Sequence, residues 1–135
     1  LSALRNRHVQ PLRDKVIEML PVGGELYLDN QITNVTPEFW TAEIIREKIF
    51  SVLDKELPYS VAVEVDNMEQ KENMQVIEAR ILTDAERYKK MIIGKKGYKI
   101  KEIGQMARKE LEQALGMKVY LDLEVEVDSH WVERV

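Results

Sequence analysis

Cysteine is absent from the chain, which excludes disulfides, thiolate metal sites and a cysteine nucleophile, and fits a reducing compartment. Histidine is nearly absent: only His8 and His130 occur, far apart and without metal-ligand spacing. A metal centre or histidine-based catalysis is therefore not expected. No apolar run approaches the ~20 residues that a membrane span needs, and the opening Leu1-Ser2-Ala3-Leu4-Arg5 holds no signal-peptide apolar region. There are no internal repeats and no low-complexity segments. What is present is an ordinary globular composition, 44% hydrophobic and 33% charged over 135 residues. That is enough for one domain with a real core, or one domain plus a fragment.

The most informative stretch runs from Ile92 to Gly104, where two isoleucines lead into Gly94-Lys95-Lys96-Gly97 and then a lysine-rich helix start. Glycine at both ends of the turn lets a backbone come close, and the two lysines put charge at its tip. Such a turn at a helix N-terminus suits a passing phosphodiester backbone. Charge distribution sharpens the reading. Between Glu86 and Lys109 stand nine basic residues (Arg87, Lys89, Lys90, Lys95, Lys96, Lys99, Lys101, Arg108 and Lys109) against Glu86 and Glu102. This segment is net +7 on a chain of net −4, so the remainder carries −11. A basic island on an acidic protein is an electrostatic footprint that the overall pI of 5.3 conceals.

Periodicity supplies the elements around it. Residues 11–20 read as a helix with Leu12, Val16, Ile17 and Leu20 on one stripe, ended by Pro21, Gly23 and Gly24. Residues 22–35 show no period and read as a linker. Thr36-Pro37-Glu38 is a helix start, with an N-cap threonine, proline at the first helical position and an acid in the first turn. The helix is predicted to run to about Glu56, burying Phe39, Ile44 or Ile45, Ile49, Val52 and Leu53. Strands are predicted at 59–67 and 74–83 with a turn over 67–73, and the second should place Ile77, Ala79 and Ile81 on one face. Helices over 85–93 and 98–115 flank the GKKG turn, with Gly116 as the stop. A last strand alternates Val119, Leu121, Leu123, Val125 and Val127 with Tyr120, Asp122, Glu124 and Glu126.

From residue 36 the order is α-β-β-α-α-β, with a GXXG turn between the paired helices. The predicted fold is α+β, a three-stranded sheet with helices on one face, and this order and loop placement are those of a type II KH domain. The opposite sheet face carries Glu64, Asp122, Glu124 and Glu126, so RNA should meet the helical side.

Several phrases go further. Glu43-Ile44-Ile45-Arg46-Glu47-Lys48, Leu57-Pro58-Tyr59-Ser60-Val61, Lys90-Met91-Ile92-Ile93-Gly94, Ile103-Gly104 with Ala107-Arg108, and Val119-Tyr120-Leu121-Asp122-Leu123 followed by Trp131 together resemble the C-terminal half of the Era-type GTPases. Residues 27–34 resemble that family's interdomain linker, with Leu28 where proline is usual and Asn34 where aspartate is usual. Ser2-Ala3-Leu4 resembles the last guanine-contacting motif of its G domain, and the helix from Pro11 that domain's final helix. The sequence stops soon after Trp131, whereas the family usually continues into a short basic and aromatic tail.

The resemblance implies residues 1–21 as a GTPase-domain remnant, 22–35 as the linker and 36–135 as a type II KH domain. It further implies binding of single-stranded small-subunit rRNA near its 3′ end during ribosome assembly, with no DNA preference. An upstream GTPase domain would be a partner, holding GTP and Mg, and the setting bacterial cytoplasm or an organelle matrix. Ser2 and Ala3 would contact guanine only with that domain present. No G-x-x-x-x-G-K-[ST] loop and no Asn-Lys-x-Asp phrase occurs, so this chain is not expected to hydrolyse GTP, to need a cofactor or to carry catalytic residues.

The RNA-binding candidates are Gly94 and Gly97 for backbone approach and Lys95 and Lys96 for phosphate contact. Lys89, Lys90, Lys99 and Lys101 stand between phosphate contact and solubility charge. Ile93, Ile100 and Ile103 are candidates for the floor of an apolar groove under unstacked bases, although spacing of this kind more often means core. Arg108 is expected in a structural ion pair, Met91 and Tyr98 in boundary packing in preference to a place on the groove edge, and Trp40 and Trp131 as core or interface aromatics. Glu43, Arg46 and Glu47 should pair along a helix surface. Two other classes stay open. The acidic sheet face or the Phe39/Trp40 helix could dock a protein partner, and a lysine-rich glycine turn could hold a nucleotide phosphate.

Overall fold

The computed structural model describes residues 1–24, 34–53 and 57–134. It divides into two compact units, Leu1–Asn34 and Val35–Val135. In the first unit a tight turn pairs Ser2 with Arg7, each N–H donating to the other's carbonyl at 3.0 Å. Helix α1 follows at Val9–Met19, two residues earlier than the proline suggests. Pro11 still falls in the first turn, where no donor is needed. The stripe of Leu12, Val16 and Ile17 is exposed within this unit. The linker phrase expected from Tyr27 lies, but for Asn34, outside the described residues.

The second unit begins where predicted. The Thr36 hydroxyl accepts from the Phe39 N–H at 3.2 Å, and helix α2 spans Pro37–Val52. It ends four residues short of Glu56, because Leu53 is already extended (φ −103°, ψ 142°); residues 54–56 lie outside the described residues. Both Ile44 and Ile45 are buried, with Ile49 and Leu53, while Phe39 is 56% exposed, against expectation. Phe39 shares its helix row with Glu43, Arg46 and Phe50, the solvent side, one position off the row that carries Trp40 inward.

Strand β1 spans Val61–Lys71 and β2 spans Met74–Thr83. They pair antiparallel, with a register shift between Val65 and Asn67. That bulge explains why the sequence pattern fails there: the extra Asp66 resets the alternation, so the paired stretch 67–71 looks like a polar turn. The real turn is only Glu72-Asn73, with Glu72 left-handed at φ 48°. Residues 57–60 form a 3-10 turn instead of the first strand residues.

A second parallel strand cannot be reached by a tight turn, so the chain crosses over through α3 (Glu86–Ile93) and α4 (Tyr98–Leu115). Gly116, left-handed at φ 66°, ends α4, and its N–H donates to the Glu112 carbonyl at 3.0 Å. Strand β3 (Lys118–Val127) then pairs parallel with β2, giving the sheet order β1-β2-β3. The helices bury Ile45, Ile49, Ile92, Ile103, Ala107 and Leu111 against Val61, Ile77, Ala79, Ile81 and Val119 of the sheet. Each isoleucine, leucine or valine among them contributes about 1.5–3 kcal/mol by leaving water. After β3 the Asp128 N–H donates to the Thr83 carbonyl at 2.8 Å, and a 3-10 turn (Trp131–Arg134) follows. No helix among the described residues is long and apolar enough to cross a membrane.

Candidate nucleic-acid interface

The turn between α3 and α4 is built by its glycines. Gly94 sits at φ 74°, ψ 178°, a region essentially reserved for glycine, and its N–H donates to the Lys90 carbonyl at 2.9 Å, closing α3. A Cβ at this position would lie 2.8 Å from Lys99 Cγ, so space forbids it as well as backbone angle. Gly97 is left-handed at φ 73°, ψ 17°, with room for a Cβ, so only conformation demands glycine there. Its N–H donates to the Gly94 carbonyl at 3.2 Å. Between them Lys96 is also left-handed, at φ 54°, ψ 27°. Holding lysine in that region costs on the order of 1 kcal/mol, at a place where asparagine or glycine would sit more easily.

The two lysines stand exposed on the tip, as do Lys90 and Lys101, while Lys89 and Lys99 are half-buried. None of the nine cations between Arg87 and Lys109 enters an ion pair among the described residues. Arg87 instead donates to the Tyr88 hydroxyl at 2.6 Å and lies 4.5 Å over that ring. Arg108 is exposed and unpaired among the described residues, which corrects its expected ion pair. It sits on the solvent side of α4, turned away from the row of Ile103, Ala107 and Leu111. Unpaired cations carry no neutralising partner that a phosphate would have to displace.

Beside the tip runs a groove of about 400 Å³ between α4 and the free edge of β3. Ile100, Lys101, Gly104, Gln105 and Arg108 line one wall, and Leu121, Asp122 and Leu123 the other. Gly104 keeps its floor low, since a side chain there would begin 3.6 Å from Leu123 Cδ1. Ile100 is half-buried and faces this groove. Ile93 is half-buried near the turn. Ile103 is 0% exposed and belongs to the core, so it can support the groove only from beneath and cannot meet a base itself. Met91 and Tyr98 are 50% and 70% exposed, so the boundary packing expected of them is not what the structure has. A second recess, of about 540 Å³, lies among Lys95, Lys96, Tyr98, Lys99 and Lys101.

Sequence reasoning missed the groove's second wall, because Leu121 and Leu123 read simply as the inward side of a strand. Gly104 was the available signal: an isolated glycine inside a helix costs ~1 kcal/mol and usually has a packing or functional reason. Two charged clusters were also missed. Lys48, only 8% exposed, pairs with Glu110 of α4 and, at 3.2 Å, with Glu47. The hydrogen bond to Glu110 holds the Lys48 ammonium above its ordinary pKa, against the opposing effect of burial. On the outer sheet face, Arg80 of β2 donates to both Asp66 oxygens at 2.7 Å, to Glu126 at 2.9 Å and to Glu64 at 3.2 Å. The Arg80 guanidinium holds the Asp66 carboxyl below its usual range. Glu78, Asp122 and Glu124 add further negative charge around it. Glu43 and Arg46 pair at 3.6 Å as expected, with Arg46 also 5.3 Å over the Phe50 ring. Trp40 packs partly buried on the core, and the Trp131 indole N–H is buried without a partner among the described residues. Ser2 is half-buried and Ala3 exposed in the first unit's turn. No cluster of histidine and carboxylate suited to a metal occurs among the described residues.

Comparison with known proteins bears on this arrangement. The family model described as KH domain matches residues 56–132. GTPase Era of Trichlorobacter lovleyi is 42% identical over 135 residues, covering 99% of this chain and 46% of that protein. GTPase Era of Halothermothrix orenii is 39% identical over the same shares. The chain thus spans about half the length of the relatives it matches, and the resemblance to Era-type GTPases extends along nearly all of it. Among solved structures, Aquifex aeolicus Era bound to GDP.AlF4- superposes with a TM-score of 0.93 at 39% identity, covering 99% of this chain and 46% of that one. Era in complex with MgGDPNP and nucleotides 1506–1542 of 16S ribosomal RNA superposes equally, also at 39% identity and 0.93, covering 99% and 45%.

Proposed function

The chain belongs to the KH domain family, and from that premise we propose that it is the RNA-binding portion of an Era-type GTPase, binding single-stranded small-subunit rRNA near its 3′ end during ribosome assembly. The observation that carries the proposal is the GKKG tip: a glycine-only backbone at Gly94 and a left-handed one at Gly97, with exposed lysines that are unpaired among the described residues, at the mouth of an apolar groove. The backbone would cross Gly94–Gly97, with Lys95 and Lys96 on its phosphates and Lys89, Lys90, Lys99 and Lys101 adding charge. Unstacked bases would lie on Ile100, Gly104, Leu121 and Leu123, their edges within reach of Gln105, Arg108 and Asp122. The relative recorded with nucleotides of 16S ribosomal RNA supports rRNA as the target.

Residues 36–135 are then the KH domain, 22–35 the linker and 1–21 the end of a GTPase domain, where Ser2 and Ala3 would reach guanine. GTP hydrolysis, with its GTP and Mg, would belong to that domain and not to this chain, and the setting would be the cytoplasm. The test is binding of the chain to a short RNA matching the small-subunit 3′ end, beside a scrambled RNA and a duplex. Preference for the matched single strand is expected. Equal binding to all three reduces the site to an electrostatic patch, and GTP turnover by the chain alone contradicts the assignment of activity.

A further inference from the structure

Tyr98 is the first residue of α4, its N–H bonded to the Lys95 carbonyl, and its ring stands 70% exposed in the recess with Lys95, Lys96, Lys99 and Lys101. The ring has no aromatic or cation partner among the described residues, and its hydroxyl no hydrogen bond, whereas Tyr59 and Tyr88 both engage a neighbour's ring or guanidinium. An exposed aromatic alone is ordinary. Here the surroundings are not: four lysine side chains share the recess, and Lys101 also lines the groove along β3. The two spaces are therefore consecutive along the first turn of α4. A KH groove clamps about four nucleotides, and this recess is a separate space that adjoins the groove at Lys101. Single-strand binders combine cationic tracks with aromatic rings on which successive bases stack, a contact that any base satisfies.

Resting on the RNA-binding reading above, we propose that Tyr98 is a stacking platform for one further nucleotide outside the groove, with Lys99 beside it in the recess on that nucleotide's phosphate. This subsite adds length dependence, not sequence choice, because a ring face accepts every base.

The experiment compares the shortest matched RNA that binds the chain with the same RNA extended by one nucleotide at its 5′ or its 3′ end. One of the two extensions should raise affinity about tenfold, whatever base is added. Tyr98→Ala should lose that gain and leave the short RNA unaffected, while Tyr98→Phe should keep it. A fluorescent 2-aminopurine at the added position should be quenched on binding to the parent chain and to the Tyr98→Phe variant, which both present a ring, and stay bright with Tyr98→Ala. No gain from either extension, or an equal loss for Tyr98→Ala on short and extended RNA, overturns the subsite and leaves the groove reading intact. Failure of every RNA to bind sinks the groove reading and this subsite with it. Because Tyr98 is exposed, both variants should fold, and an unchanged melting temperature verifies that.

Discussion

The two faces of the KH unit treat positive charge in opposite ways. From Arg87 to Lys109, along α3, the GKKG turn and α4, nine cations are held without a single carboxylate partner among the described residues. On the outer sheet face one arginine, Arg80, is claimed by Asp66, Glu126 and Glu64, with Glu78, Asp122 and Glu124 close by. Stability alone would favour spreading pairs over both faces. Segregation instead gives the helical side a field that draws phosphates in and the sheet side one that turns them away. An RNA strand meeting this unit is steered to the turn before any base is read.

The largest expected effect comes from reversing the free face. Lys95→Glu with Lys96→Glu should abolish RNA binding, a loss of at least about a hundredfold, and leave thermal unfolding nearly unchanged because both lysines are exposed and neither has an ion-pair partner among the described residues. Comparable binding by the double variant in a filter or anisotropy assay would make the contrast between faces irrelevant to function. Next is the backbone beneath the lysines. Gly94→Ala should cost about 2–3 kcal/mol, through both its φ and the 2.8 Å approach to Lys99, whereas Gly97→Ala should cost nearer ~1 kcal/mol through φ alone. Urea unfolding of the pair measures the difference, and equal costs would refute the steric part.

The paired face should respond in stability and not in binding. Arg80→Ala leaves Glu64, Asp66 and Glu126 facing one another and should destabilise the fold by about 1–2 kcal/mol, a figure kept small because all four groups are partly in water. Its pH signature follows from Asp66, whose folded pKa lies below 3.8. Such a group stabilises above its unfolded pKa, and that stabilisation is lost as pH falls through the lower folded value. The variant should therefore unfold at higher pH on acid titration, with RNA binding at neutral pH retained. The smallest effect is at Lys48. Glu110→Gln should cost about 1 kcal/mol. Because the Lys48 pKa is raised above 10.5 in the fold, its contribution is complete below that pH and fades as pH rises through the folded value. The gap between parent and variant should be flat up to about pH 10 and shrink beyond it, as followed by circular dichroism.

Much of this is legible in the residues, and what is not has physical causes. Helix α4 and strand β2 are bounded correctly because Gly97, Gly116 and Thr83 coincide with sharp changes of period. The β1–β2 turn is misplaced because a bulge at Asp66 breaks the alternation that a strand is recognised by. Hydrophobicity puts Phe39 inside, but helix phase, set by Ile45 and Ile49, turns it to solvent. The lysines of the tip can be named from charge and glycine spacing. The groove cannot, since its walls come from α4 and β3, and which residues of the two face each other is set by how α4 packs on the sheet once β3 pairs with β2, which no local pattern reports. Arg80 is hidden for the same reason: its partners lie 14, 16 and 46 residues away.

The most direct test of free charge at the turn as the source of RNA affinity is the salt dependence of binding, taken for the parent chain and for Lys95→Gln with Lys96→Gln. Single-strand binding weakens with a slope of roughly −0.7 in log K against log salt for each phosphate neutralised. If both lysines hold phosphates, the double variant should bind more weakly and its slope should be shallower by about 1.4. An unchanged slope would mean that the tip lysines touch no phosphate, and the account of this interface would be wrong.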